Sequence, residues 1–147
     1  MRKTKVLMKR ERDGEAGFTL LELLVVLAIL GMIALFAVPQ AVKFLSGAKS
    51  DAAQIQVNNL SSILELYRVE TGRYPASNEG LAALLDKPAD AKGWNGPYVK
   101  KAEMLADPWG RPYQYRFPGN HGAFDLWSLG ADGTEGGSGE DADVVSW

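Results

Sequence analysis

The stretch Gly17-Phe18-Thr19-Leu20-Leu21-Glu22 opens an apolar run that continues to Val38. From Phe18 to Val38 there are 21 residues, and only Thr19, Glu22 and Gly31 interrupt the apolar character. A helix of about 20 apolar residues spans the hydrocarbon core of a bilayer. The run therefore predicts a membrane helix. A carboxylate one turn inside such a helix is costly and demands a structural reason.

The flank before the run fixes its orientation. Met1–Gly17 carries six basic residues (Arg2, Lys3, Lys5, Lys9, Arg10, Arg12) against three acids (Glu11, Asp13, Glu15), a net charge of +3. An excess of Lys and Arg before a span predicts a cytoplasmic N-terminus, with the rest of the chain outside. Without this leader the formal charge passes from -2 to -5. So acidic a body argues against nucleic acid as a partner. An ordinary signal peptide would have a shorter apolar region and a small-residue cleavage site. Here proline follows Ala37-Val38 directly, and the run is too long.

After Pro39 the pattern changes from uniformly apolar to striped. Ala41, Phe44, Leu45, Ala48, Ala52, Ile55, Leu60, Ile63, Leu64 and Tyr67 recur in steps of mainly three and four, the period of an amphipathic helix. Lys43, Lys49, Asp51, Gln54, Asn58, Asn59, Glu65 and Arg68 occupy the other face. Gly72 is the natural terminator. Gly31 and Pro39 are the weak points, and proline predicts a bend or local unwinding near Leu35–Pro39. Two readings of that weakness stand: a tolerated membrane kink, or a segment that melts when the subunit leaves the bilayer.

Beyond Gly72 about 75 residues remain, few for an independent core. There is no cysteine to staple them. The head therefore needs the helix as a packing surface, a metal, or neighbours in an assembly. Ser77 or Asn78 is placed to cap a short helix over Glu79–Leu85. Pro112–Phe117 alternates aromatic and polar residues, which predicts a strand, and Ala123–Leu129 predicts a second across the turn Pro118–Gly122. The fold class is α+β: a long helix packed on a small antiparallel sheet of two or three strands. The organisation reads as residues 1–17 leader, 18–39 membrane helix, 40–72 amphipathic helix and 73–147 head. His121, the only histidine, reads as a turn residue. Asp107 reads as the cap of a turn before Pro108. Trp94–Tyr98 and Trp109–Phe117 read as packing aromatics. No serine, histidine and carboxylate grouping offers a nucleophile, and no enzyme is expected.

The placement of Gly17, Phe18 and Glu22 resembles the processing site of type IV prepilins and type II secretion pseudopilins. The resemblance implies a pilin-like fold and cleavage between Gly17 and Phe18 by a prepilin peptidase. It also implies N-methylation of Phe18 and assembly through the apolar helices. Glu22 would then meet the new α-amine, within one helix or between neighbours. The residues alone show a carboxylate about one turn from that amine, and an acid snorkelling to the headgroups is the other reading.

The ending Leu129–Asp143 holds five acids and five glycines in 15 residues. Hard oxygen donors on a flexible backbone suit Ca²⁺. The spacing is not an EF-hand, and by itself it reads by default as a solvated acidic loop. Leu-Gly-Ala-Asp-Gly-x-Glu-Gly-Gly with an acidic cluster and a terminal Trp is similar to the C-terminal loop of the major (G-type) pseudopilins. Tyr74-Pro75, Glu79-Gly80-Leu81, Trp94-x-Gly96-Pro97-Tyr98 and Asp107-Pro108-Trp109-Gly110 resemble the same subfamily. That resemblance implies a structural Ca²⁺ held by the Leu129 carbonyl and by Asp132, Asp141 and Asp143, with Ser138 and Glu140 as further candidates. It has Trp147 sealing the loop onto the sheet.

The resemblance thus implies the major structural subunit of a type II secretion pseudopilus, in the inner membrane with a periplasmic head. Its partners would be copies of itself, minor pseudopilins, the prepilin peptidase, the inner-membrane assembly platform and lipid. Energy would come from a cytoplasmic ATPase. A type IV pilin, a minor pseudopilin or a monomeric anchored Ca²⁺-binding domain are the alternatives.

Overall fold

The helical period found after Pro39 belongs to a single helix that begins in the apolar run. The computed structural model describes residues 18–147. Helix α1 runs Leu20–Thr71, 52 residues, with Pro39 inside it. Helical assignment is continuous through the segment expected to unwind, since proline removes only one donor and its neighbours keep theirs. The helix stops at Gly72, whose φ of 79° suits a left-handed cap and whose N–H donates to the Arg68 carbonyl at 2.8 Å. Contacts divide the chain after Pro39 into two units, the second being Gln40–Trp147.

In the first unit the apolar side chains stand open. The most apolar 18-residue window of α1 is long and greasy enough to cross a membrane, and none of it is buried.

In the second unit Ala53, Val57, Leu60, Leu64 and Tyr67 form the buried face of α1, spaced by four, three, four and three. This register differs from the expected stripe before residue 60. Ala41, Phe44, Leu45, Ala48, Ala52 and Ile55 are exposed, while Ala53 and Val57 are fully buried. The apolar residues there outnumber those one face can hold, and the core begins only at Ala53. The buried face meets Tyr74, Leu81, Leu84, Val99, Tyr113, Leu126 and Val144 in one cluster. Fully burying a leucine such as Leu60 or Leu84 contributes about 1.5–3 kcal/mol, so α1 supplies much of what the small head lacks.

The chain leaves α1 through a turn fixed by Arg73. Its guanidinium grips Glu79 through two bonds of 2.6 and 2.7 Å, and Glu79 also accepts from the Ala76 N–H. That pair holds the Glu79 carboxyl below its usual range. The short helix that follows is a 3-10 turn, Gly80–Leu84, without a side-chain cap. Ser77 serves elsewhere: it exchanges hydrogen bonds with the Phe117 carbonyl and N–H at 2.8 and 2.9 Å. Trp94 donates to the Ala83 carbonyl and packs edge-on against Tyr98.

Three strands make an antiparallel sheet in the order β1 (Gln114–Arg116), β2 (Asp125–Ser128), β3 (Val144–Val145). Tyr115 pairs with Leu126, and Trp127 with Val145. The first two strands lie inside the segments expected from the alternation, shortened at both ends. Asp125, fully buried, closes the hairpin turn by accepting from the Asn120 and His121 N–H groups at 2.8 and 3.0 Å. Burial alone would raise its carboxyl, but those two bonds and the His121 ring outweigh it and hold it low.

Candidate functional site

The first candidate is the start of α1. Gly17 and the leader lie outside the described residues. Phe18 is 80% exposed and precedes the helix. Thr19 is its N-cap: its Oγ1 accepts from the Glu22 N–H at 3.2 Å, and its carbonyl accepts from the Leu23 N–H. Thr19-Leu20-Leu21-Glu22 therefore fits the pattern of a capping box, a signal that the sequence carries in the spacing of Thr19 and Glu22. The cap puts Glu22 in the first turn, where the helix dipole favours a negative charge. Phe18, Glu22, Leu23 and Val26 line one shallow groove, so the fourth residue after Phe18 stands on the side Phe18 occupies.

The second candidate is the C-terminal loop. β2 ends at Ser128 and delivers Leu129 to its mouth. Gly130 then turns with φ 64°, and a Cβ there would stand 2.8 Å from the Asp141 and Ala142 carbonyl oxygens. Only glycine lets the two limbs of the loop lie this close. Ala131 N–H donates to the Glu140 carbonyl across the same gap.

Each acid has a distinct environment. Asp132 sits at an exposed tip and takes both its bonds from Thr134, the N–H at 3.0 Å and the hydroxyl at 2.8 Å. Those bonds, aided by the nearby Arg111, hold its carboxyl below the usual range. Asp141 is exposed in a 3-10 turn, Gly139–Asp141. Asp143 reaches back to the Gly136 N–H with Oδ2 at 2.9 Å, while its Oδ1 is buried without a donor. Glu140 accepts from the Ser46 hydroxyl at 2.5 Å and the Trp109 indole at 3.0 Å. It therefore ties the loop to α1, a role that the sequence offers no local signal for.

Among the described residues no three His, Cys, Asp or Glu side chains converge as a metal cluster. Calcium takes much of its shell from carbonyls, and such a count omits them. The buried, donorless Asp143 Oδ1 is what a cation-binding loop would present, since an orphaned buried acceptor otherwise costs about 1–3 kcal/mol. The donor chemistry of the loop thus fits a hard cation.

Beneath the loop, Asp107 is 6% exposed and caps its turn as expected, accepting from the Trp109 and Arg111 N–H groups and the Ser128 hydroxyl. Trp147 lines one cleft with Glu135 and Asp143 of the loop and with Arg116, Trp127 and Val145 of the sheet, between the two as expected. It is half exposed and stacks on His121 at 4.0 Å, edge-on to Trp127.

An exposed apolar helix with an acid in its first turn thus runs into an α+β head with a three-stranded antiparallel sheet. The prokaryotic N-terminal methylation motif matches residues 12–38, and type II secretion system protein G matches residues 40–147. The chain belongs to the type II secretion system protein G family. Core protein G of Pseudomonas aeruginosa is 44% identical over 141 residues, covering 93% of this chain and 98% of its own length. The Vibrio cholerae core protein G is 41% identical, covering 95% and 96%. The crystal structure of the major pseudopilin from the type 2 secretion system of enterohaemorrhagic Escherichia coli superimposes with a TM-score of 0.58 at 30% identity. That match covers 68% of this chain and 87% of the other.

Proposed function

We propose that this chain is the major structural subunit of a type II secretion pseudopilus, a fibre that drives folded proteins out of the cell. The observation that carries this reading is an apolar helix, wholly exposed along its membrane-length window, in a chain of the protein G family. Such a surface is at rest only in lipid or against similar helices. The chain is held in the inner membrane with its N-terminus cytoplasmic and its head periplasmic. A prepilin peptidase cuts between Gly17 and Phe18, and Phe18 is N-methylated. Residues 18–39 anchor the subunit and later form the fibre core, residues 40–72 carry the head, and residues 73–147 form its surface. Copies join each other, minor pseudopilins and the assembly platform. The work is mechanical, and catalysis is left to a separate ATPase.

Glu22 is the assembly residue. Thr19 fixes it in the first turn, one turn from the amine that cleavage creates. In a low dielectric the two charges neutralise one another, and between subunits this pairing sets the axial stagger. The loop holds Ca²⁺ through the Leu129 carbonyl and through Asp132, Asp141 and Asp143. The donorless Asp143 oxygen supports this. The bound ion would supply charge compensation and order the head for packing.

Glu22→Ala is expected to leave cleavage intact while weakening assembly at least about tenfold, the loss of one buried charge partner. Mass spectrometry of the mature N-terminus checks the first part, and crosslinking ladders in membranes check the second. Normal ladders from the variant would remove the pairing role. A wild-type chain that stays uncut and solitary would remove the pseudopilus reading.

A further inference from the structure

We infer that Arg111 is a positioning residue for the C-terminal loop, shaping residues 129–132 to receive a divalent cation before the cation arrives. This rests on the calcium reading of the loop. The guanidinium donates from Nη1 to the Gly130 carbonyl at 2.8 Å and from Nη2 to the Ala131 carbonyl at 2.9 Å. These carbonyls belong to the two residues between Leu129 and Asp132, the first two proposed ligands. A single planar group thus sets the orientation of the peptides that separate the two ligands.

The main chain of the arginine is itself held. Its N–H donates to Asp107 Oδ1 at 2.9 Å, and its carbonyl accepts from the Asp107 N–H at 2.7 Å. Asp107 is buried and is braced by the Ser128 hydroxyl, the last residue of β2. The same hydroxyl accepts from the Gly130 N–H at 3.3 Å. The loop also folds around the guanidinium from the far side. Gly133 has φ 70°, and a Cβ there would stand 2.8 Å from Arg111 Cζ and Nε. A side chain at that position and the arginine in this pose exclude one another.

Charge and geometry make opposite demands. A fixed positive charge beside the loop repels a cation, yet the fork orients the backbone that the cation needs. Lysine keeps the charge but cannot bridge two carbonyls as a planar fork does. Glutamine removes the charge. If positioning dominates, both substitutions weaken binding. If repulsion dominates, glutamine tightens it.

The test uses the full chain in detergent. Ca²⁺ is titrated calorimetrically into wild type, Arg111→Lys and Arg111→Gln, and amide exchange of residues 130–133 is followed in EDTA. Loss of a group that orients ligands typically costs about 10–100-fold in metal affinity. We expect Arg111→Lys to bind Ca²⁺ at least about tenfold more weakly, and Arg111→Gln likewise, with faster exchange of residues 130–133 in the metal-free state. The glutamine variant carries the test if the lysine variant misfolds. A wild type that binds Ca²⁺, with both variants matching its affinity and exchange, would overturn the role of Arg111 alone. Tighter binding by Arg111→Gln would also overturn it. A wild type that takes up no Ca²⁺ would overturn the calcium reading and the receiving role together.

Discussion

Tyr67→Phe is expected to stabilise the head, against the general rule that core substitutions destabilise. The Tyr67 ring is fully buried and packs edge-on against Tyr98 with centroids 5.6 Å apart. Its hydroxyl is buried with no hydrogen-bond partner. Thr71, close by, donates its proton to the Tyr67 and Arg73 carbonyls at 2.8 and 2.9 Å, and its oxygen is not within hydrogen-bonding geometry of the Tyr67 hydroxyl. An unsatisfied buried hydroxyl costs about 1–3 kcal/mol, and phenylalanine removes it while keeping the ring contacts. The one-atom void left behind offsets part of the gain. A net gain of about 1 kcal/mol is the result, worth roughly 4 °C in melting temperature for a unit of this size. Tyr67→Ala, which deletes the ring as well, is expected to lose about 3–5 kcal/mol. Near-UV circular dichroism of the detergent-solubilised full chain reads both. A Tyr67→Phe chain that melts below wild type would refute the reasoning, because the hydroxyl would then have a partner worth keeping.

Two further outcomes follow from the carboxylates. Asp107→Ala leaves the Trp109 and Arg111 N–H groups and the Ser128 hydroxyl without their acceptor, and is expected to cost about 3 kcal/mol by the same melt. Asp107→Asn, which keeps one acceptor oxygen, is expected to lose less than half of that. Asp125 has a folded-state carboxyl below its ordinary value of 3.8, so the unfolded chain takes up its proton first as pH falls. Its contribution is whole above that value and is lost below it, through the lower folded one. Denaturant unfolding from pH 6 to pH 2 is expected to show this loss, and Asp125→Asn is expected to flatten the acid limb. His121 and Arg116 are the cationic partners that face Asp125, at 3.3 and 3.8 Å. An unchanged acid limb in the variant would refute the assignment.

The sequence made the helices plain because their signals are long. Twenty-one residues of near-uniform apolarity leave little choice, and the stripe ending at Tyr67 and Gly72 repeats over many turns. The strands were visible only roughly. The alternation over Pro112–Phe117 located β1 but not its ends, and β3, two residues long, is too short to show any. The register of the stripe before Leu60 could not be read, since apolar residues there lie on several faces. The Thr19 cap was legible through its spacing to Glu22. Arg111 and Glu140 were not: their partners lie 19 to 94 residues away, and nothing local marks a side chain that will bind a distant carbonyl or hydroxyl. Ser77 misled for the same reason, because a distant strand end outcompeted the adjacent helix for its hydroxyl.

The head has no thiols. Its segments are joined instead by acids that reach across the chain: Asp107 to β2, Asp125 to the hairpin, Glu140 to α1 and Asp143 to Gly136. Such joints form at the speed of side-chain motion and need no oxidant. The head can thus close these joints whatever the redox state around it.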